Sequence, residues 1–383
     1  MKTNPRRNDL DWLRVFAILT IFVFHSGRFF DTGDWHVKNP TTYIASQEWT
    51  IFLASWLMPL IFVISGASLY YGLGSRGIGK FIDSKIRRLI VPFIVGVFSH
   101  IILQVYLDRI THHQFDDSFI DFIPHYLEGF YGFGGNFAWM GFHLWYLLIL
   151  FVYSLLFYPL FHWLRDGSGK TVLKRLGDCL SLPGIIYVLA LPIALVLVNL
   201  DIHTGPRHFG GWPLSIYIFF FIYGFIIVSH DGLQRNIRRL RWVSLVAATL
   251  CWVALFTLWG RPGYPPYGTV QYVERFGISG ISSWFWILAF LGFGFEYFTQ
   301  SKPILSYANE AVLPFYILHQ TVLLSVGYFV TQWNIPDLLK WGIIAAISFL
   351  VIMALYEFPI RRFNFMRFLF GMKALPHSKV ISS

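Results

Sequence analysis

Long apolar stretches separated by short polar segments recur along the whole chain. A transmembrane helix needs about 20 mainly apolar residues, and the sequence holds ten stretches of this kind. The predicted spans are residues 12–30, 49–72, 89–107, 142–163, 183–200, 212–229, 242–259, 277–298, 311–331 and 338–358. The pattern therefore predicts an all-α fold, a polytopic helical bundle of about ten membrane-spanning helices.

The composition supports a lipid environment. Hydrophobic residues make up 56% of the chain and charged residues only 13%, whereas soluble domains average about 25% charged residues. We find no internal repeat, no low-complexity tract and no soluble domain after the last span. The sequence thus predicts one membrane-embedded domain over residues 1–383.

The positions of Lys and Arg predict the orientation, because cationic loops stay on the cytoplasmic side. With the N-terminus placed inside, the cytoplasmic segments hold 22 of these residues and the outer loops hold 6. We therefore expect both termini in the cytoplasm. The net charge of +10 follows from this topology, so we expect contact with the lipid bilayer and no nucleic-acid partner.

The first span carries three ionisable residues. Arg14 and His25 are separated by 11 positions, which places them within roughly 20° of one helix face and about 16 Å apart along the axis; Asp11 falls on the same stripe. Ionisable groups inside a span are costly and usually mark a site. The cation could hold an anionic donor while a neutral imidazole accepts a proton. Alternatively, Asp11 and Arg14 form an interfacial ion pair and His25 is a packing residue.

Lys85 and Arg88 lie three positions apart at the predicted entry of the third span. On an α-helix they share a face and could bind phosphates as separated cations. The alternative is that they only determine topology.

Other polar residues fall in later spans. His143 and His319 are candidates for a proton carrier, a substrate contact or an interhelical bond, and we expect Glu357 to pair with a nearby cation. The second span ends in small residues, Ser65 and Gly66, which allow helices to approach closely. The acidic and histidine-rich outer loop lacks tight metal-ligand spacing, so we predict no metal site.

Five motifs stand out along the chain. They are LDWLR at residues 10–14 followed by His25, FVISG at 62–66, RRLIVP at 87–92, HLWYL at 143–147 and YILH at 316–319. In this order and at these spans, they resemble the acyltransferase 3 family over nearly the whole chain.

The resemblance implies an enzyme that moves an acyl group from cytoplasmic acyl-coenzyme A to a hydroxyl of an extracytoplasmic carbohydrate. It implies His25 as the essential base and Arg14 as a motif residue. The family's second motif has two arginines three positions apart. Here the matching residues are Lys85 and Arg88, so a lysine replaces the first arginine. Lys does not reproduce the bidentate geometry of Arg.

His143, His319 and the indole of Trp145 are candidate donors to the oxyanion. We expect acyl-coenzyme A as a substrate, no permanently bound cofactor and a bacterial cytoplasmic membrane. Acetyl and succinyl are the expected acyl groups. The N-terminal sequence is similar to that of the glucan-succinylating branch of the family.

A second hypothesis is a transporter or flippase of a carbohydrate or lipid-linked sugar. Such proteins often have repeated halves and broken spans, and the sequence indicates neither.

Overall fold

The structure is a computed structural model that describes residues 7–73, 77–200, 210–259 and 265–375. It is all-helical, with 76% helix and no β-strand in these ranges. The α-helices of the described ranges, in chain order, are α1 Asn8–Gly27, α2 Ile44–Ala54, α3 Leu57–Gly72, α4 Ile78–Lys85, α5 Val91–Phe98, α6 Ile101–Thr111, α7 Phe119–Phe122, α8 Trp145–Leu156, α9 Tyr158–Asp166, α10 Lys170–Leu180, α11 Ala190–Asn199, α12 Leu214–Val228, α13 Asp231–Arg239, α14 Arg241–Trp259, α15 Val270–Tyr297, α16 Pro303–Val330, α17 Asp337–Leu355 and α18 Asn364–Leu369. Two π-helical turns, Ile86–Ile90 and Tyr356–Ile360, and 3₁₀ turns at Ile123–Leu127, Phe142–Leu144 and Ile185–Leu189 complete the helical content.

The number of helices that can cross a membrane lies between six and ten. Within the described ranges, six stretches are long and apolar enough alone, and there are ten if each of four bent helix pairs counts as one span. The six are Asn8–Gly27, Ile44–Gly72, Arg241–Leu258, Val270–Tyr297, Pro303–Val330 and Asp337–Ile360. The helical, multi-pass character is confirmed, while ten spans remains the upper value.

The sequence predicted unbroken spans, and the structure corrects this. The helix pairs α5–α6 and α8–α9 bend by 42° and 52°. Pro159 lies in the first turn of α9. Because proline has no N–H, it cannot bond to the carbonyl four residues earlier, and the helix bends there. The pairs α10–α11 and α12–α13 bend by 113° and 107°. The predicted fifth span therefore corresponds to the 3₁₀ turn Ile185–Leu189 together with α11, and the predicted sixth span corresponds to α12.

The chain divides into two compact units, and the first consists of Met1–Ala17, Phe52–Arg76 and Tyr153–Ser306 as far as they are described. Its tightest packing joins α3 to α12. A Cβ on Gly66 would lie 1.8 Å from the carbonyl oxygen of Phe221, and one on Gly224 would lie 1.9 Å from that of Val63. The two backbones are thus in direct contact, as the small residues predicted.

The second unit consists of Ile18–Ile51, Gly77–Val152 and Tyr307–Ser383, again as far as described. The fully buried carboxylate of Asp31 anchors the segment after α1. It accepts bonds of 2.7 Å from Arg28 and from Lys38, and another from Thr50. These bonds fix the chain directly after the end of α1, where His25 lies.

Both π-helical turns lie in the second unit and both involve proline. Pro92 follows the first turn and Pro359 lies inside the other. Because proline cannot donate to the carbonyl four residues earlier, the helix widens. The N–H of Val91 bonds to the Ile86 carbonyl, five residues back, and Arg361 bonds to Tyr356 in the same way.

Candidate active site

Four histidines lie together in the second unit. His25 is near the end of α1, His319 is within α16, His143 precedes α8, and His100 lies between α5 and α6. The ring centroids of His25 and His319 are 4.9 Å apart, as are those of His143 and His319. His100 is 6.4 Å from His143. The structure therefore brings three predicted residues together and adds His100, which lies inside a predicted span and could have been found by the same rule.

Backbone carbonyls determine where the protons of His25 and His319 lie. His25 Nδ1 is 3.0 Å from the Ile21 oxygen, and His319 Nδ1 is 2.6 Å from the Tyr316 oxygen. A carbonyl oxygen can only accept, so in each neutral ring Nδ1 carries the hydrogen. His319 Nε2, 3.1 Å from His25 Nδ1, then accepts a second branch of the same hydrogen bond.

This assignment leaves His25 Nε2 unprotonated. Within the described part of the second unit, no group forms a hydrogen bond with that nitrogen. A neutral imidazole with one free lone pair is the form that a general base requires.

Two other imidazole nitrogens of the cluster also lack partners in the described ranges. His143 donates from Nε2 to the Ile317 oxygen at 3.0 Å, while its Nδ1 is buried and unbonded. His100 bonds through Nδ1 to Thr321, and its Nε2 is likewise buried and unbonded. Both nitrogens could bond to a bound molecule.

The segment after α1 adds residues that the sequence did not indicate. The Trp35 ring stacks near His25, with centroids 6.1 Å apart and planes at 27°. His36 Nδ1 lies 2.9 Å from Asp108 Oδ1, and Tyr131 donates to the other oxygen of that carboxylate at 3.0 Å. Trp35, His36 and Tyr131 lie in irregular segments, where no periodic pattern marks them, and Asp108 lies in α6.

Arg14 belongs to the first unit. Its Nη1 lies 2.9 Å from Asp11 Oδ1, and its Nη2 donates to Ser68 Oγ at 2.8 Å. The ion pair that the sequence left open is therefore present, and Ser68 is an additional partner. This arrangement fixes the guanidinium on α1.

Lys85 and Arg88 belong to the second unit. Lys85 ends α4, and its ammonium lies 5.4 Å from the centre of the Phe81 ring. Arg88 is exposed on the first π-helical turn. The wider turn changes the α-helical spacing that placed both residues on one face, although their charges still interact. π-Helical turns often occur at functional sites.

The comparison with protein families settles the relationship. The profile of the acyltransferase 3 family, described as an acyltransferase domain, matches residues 7–357. The chain belongs to this family. The resemblance that its motifs indicated is confirmed, and together with the apolar helices it identifies a multi-pass membrane acyltransferase-family protein.

Curated relatives of this acyltransferase 3 protein carry the name glucans biosynthesis protein C. Those of Salmonella paratyphi A, Salmonella agona and Salmonella heidelberg are each 21% identical to it over 382 residues, which covers 96% of this chain and 95% of theirs. No solved structure matches the chain.

The remaining predicted residues of the acyltransferase have structural partners. Glu357 lies on the second π-helical turn, forms a 3.0 Å ion pair with Arg361 and accepts a hydrogen bond from Tyr307. It therefore pairs with a cation, as expected. Trp145 is buried at the start of α8, two residues after His143.

Proposed function

We propose that this protein is a membrane O-acyltransferase that moves an acetyl or succinyl group from cytoplasmic acyl-coenzyme A to a hydroxyl of an extracytoplasmic carbohydrate. The observation that carries the proposal is the pair of contacts that His25 Nδ1 makes with the Ile21 carbonyl and with His319 Nε2. They assign the hydrogen to Nδ1 and leave Nε2 as the acceptor. The family supports acyl transfer, and the name of the relatives supports a glucan-type acceptor.

In the proposed reaction, His25 Nε2 takes the proton of the acceptor hydroxyl. The hydroxyl oxygen attacks the thioester carbonyl, the carbon–sulfur bond breaks, and the departing thiolate receives the proton from the imidazolium. While His25 is charged, its Nδ1–H still donates to the Ile21 carbonyl and to His319 Nε2. Hydrogen bonds to a charged group are stronger than neutral ones, so His319 acts as a positioning residue that favours the protonated base.

The donor's diphosphate group is assigned to the cations at the predicted cytoplasmic ends of the helices. Arg14 is oriented by Asp11 and Ser68, and Arg88 with Lys85 provides positive charge near the first π-helical turn. The excess of Lys and Arg in the same segments supports cytoplasmic termini. Trp145 is the proposed donor to the oxyanion. His143 and His319, the other donors that the sequence suggested, do not suit this role, because the single N–H of each neutral ring donates to a backbone carbonyl. The outer end of α1 receives the sugar.

The test compares envelope carbohydrates by mass spectrometry in bacteria that carry wild-type protein, no protein or His25→Ala, before and after mild alkali. We expect an alkali-labile acyl increment only with wild type. His162→Ala is the matched control, because His162 is exposed on α9 in the first unit. If the acyl increment persists in His25→Ala, His25 is not the general base.

The four bent helix pairs are the observation that favours the alternative, a carbohydrate transporter or flippase, because transporters often contain broken helices. If a strain with a suitable acceptor shows no acyl increment, while the protein changes the amount of carbohydrate outside the cell, transport replaces acyl transfer.

His319 gives a separate prediction. His319→Leu removes the acceptor of the His25 Nδ1–H bond and should lower kcat about 10- to 100-fold, the value of a hydrogen bond to a charged group. His319→Gln offers an amide oxygen to the same N–H and should recover part of that loss, with KM for acyl-coenzyme A unchanged in both. Initial transfer rates in isolated membranes measure this. Equal rates in the two variants would contradict a positioning role.

A further inference from the structure

The first unit contains a cavity of about 170 Å³ between α3, α9, α10 and the start of α13. The polar and aromatic residues that line the cavity are Tyr70, Arg165, Lys170, Lys174, Ser229 and His230. Its lining includes three permanent cations and no carboxylate.

Arg165 has an unsatisfied donor at this cavity. Its guanidinium lies 5.2 Å from the centre of the Tyr70 ring, and only a 4.0 Å contact joins its Nε to Asp166. Nη1 is buried and has no hydrogen-bond partner in the described ranges. A buried N–H without an acceptor is costly, and Arg165 lines the cavity, so a shift of its side chain that turns this N–H toward an oxygen anion in the cavity would be favourable.

The walls around Arg165 are fixed. His230 caps α13 by accepting from the N–H of Leu233 and, through its other nitrogen, bonds to Asp178 at 3.0 Å. A Cβ on Gly177 would lie 2.7 Å from the His230 ring. Helix α10 is therefore held against the cap of α13 by direct contact.

Two lysines complete the positive charge. Lys170 and Lys174 are four residues apart and thus on one face of α10. Both are exposed, and neither forms an ion pair with any residue that the structure describes. The nearby carboxylates, Asp166 and Asp178, do not line the cavity, so the side chains facing it are predominantly cationic.

We propose that this cavity binds a phosphate group, with Arg165 as the hydrogen-bonding cation and Lys170 and Lys174 as flanking charges. Sites that enclose a whole small molecule measure about 300–1,000 Å³, so this cavity is suited to a phosphate and not to a nucleoside. The phosphate comes from the 3′-phosphate of coenzyme A or from the headgroup of an anionic lipid. The first source rests on the proposed function.

The test uses the full-length protein in phosphatidylcholine nanodiscs and titrates it with coenzyme A and with dephospho-coenzyme A, which lacks the 3′-phosphate. Wild type should prefer coenzyme A. Arg165→Gln and Lys174→Gln should each lower the ratio of the affinities for coenzyme A and dephospho-coenzyme A about tenfold, because a charged contact to the phosphate is removed. Arg175→Gln is the matched control, since Arg175 is exposed on α10 but does not line the cavity.

A second arm measures how much phosphatidylglycerol each variant retains from mixed nanodiscs, read by native mass spectrometry. If retention depends on Arg165 and Lys174 while the preference for coenzyme A does not, the phosphate is a lipid headgroup. If wild type binds no coenzyme A at all, the proposed donor fails and the lipid arm alone decides the site. Equal behaviour of all variants in both arms would overturn the phosphate site.

Discussion

Replacing Gly66 with alanine should destabilise the first unit more than any conservative change on the surface of α3. The added Cβ would lie 1.8 Å from the Phe221 carbonyl oxygen, and its next contacts are also backbone atoms of α12. An ordinary carbon–oxygen contact is about 3.3 Å, so the two helices would have to separate locally by about 1.5 Å.

The expected cost is large because backbone atoms cannot rotate away. Overpacking typically costs about 1–3 kcal/mol and occasionally more, and we expect Gly66→Ala to reach about 3 kcal/mol. Gly72→Ala is the control within the same helix, because a Cβ there meets nothing within 4 Å. Alanine is also the better helix former by up to about 1 kcal/mol.

Both variants are purified in detergent, heated for a fixed time and passed over a size-exclusion column. The midpoint is the temperature at which half of the monodisperse peak is lost. Gly66→Ala should have a clearly lower midpoint than wild type, and Gly72→Ala an equal or higher one. Equal midpoints for the two variants would show that α3 and α12 do not meet through Gly66.

Two predictions concern the second unit and use the same heating assay. Asp31→Ala should lower the midpoint by the equivalent of about 3–5 kcal/mol, the cost of breaking a buried ion pair, because Arg28 and Lys38 lose their shared carboxylate; an unchanged midpoint would contradict this. Burial raises the pKa of Tyr126 to about 12, so its phenol stays protonated and donates to the Val97 carbonyl. Tyr126→Phe should therefore cost about 1–3 kcal/mol, and this cost should not change between pH 6 and 9.

Much of the architecture could be predicted from hydrophobicity alone. Apolar length predicted helical spans because a backbone in lipid must satisfy its own hydrogen bonds. The four bends were not foreseen. Pro159 is a local cause. At the bend between α12 and α13, His230 caps α13 by accepting from the N–H of Leu233, and it also bonds to Asp178 on α10 and to Ser181 directly after that helix.

The residues of the candidate site could be predicted only in part from the sequence. His25, His143 and His319 stand out because ionisable groups inside spans are costly. Their proximity was not predictable, since His25 and His319 are 294 positions apart. The residues Trp35 and His36 lie in an irregular segment, and their positions depend on the bonds that Asp31 forms.

The sequence by itself determined that this protein resides in a lipid bilayer. It also determined the helical content, the family and the residues capable of acid–base chemistry. Those properties follow from side-chain polarity and from the period of a single helix. The tertiary structure alone decided which nitrogen of His25 carries the hydrogen, because that depends on the carbonyl and the imidazole that approach its ring. It also decided that α3, α9, α10 and α13 enclose a cationic cavity, because the helical period defines the faces of each helix but not which faces of separate helices meet.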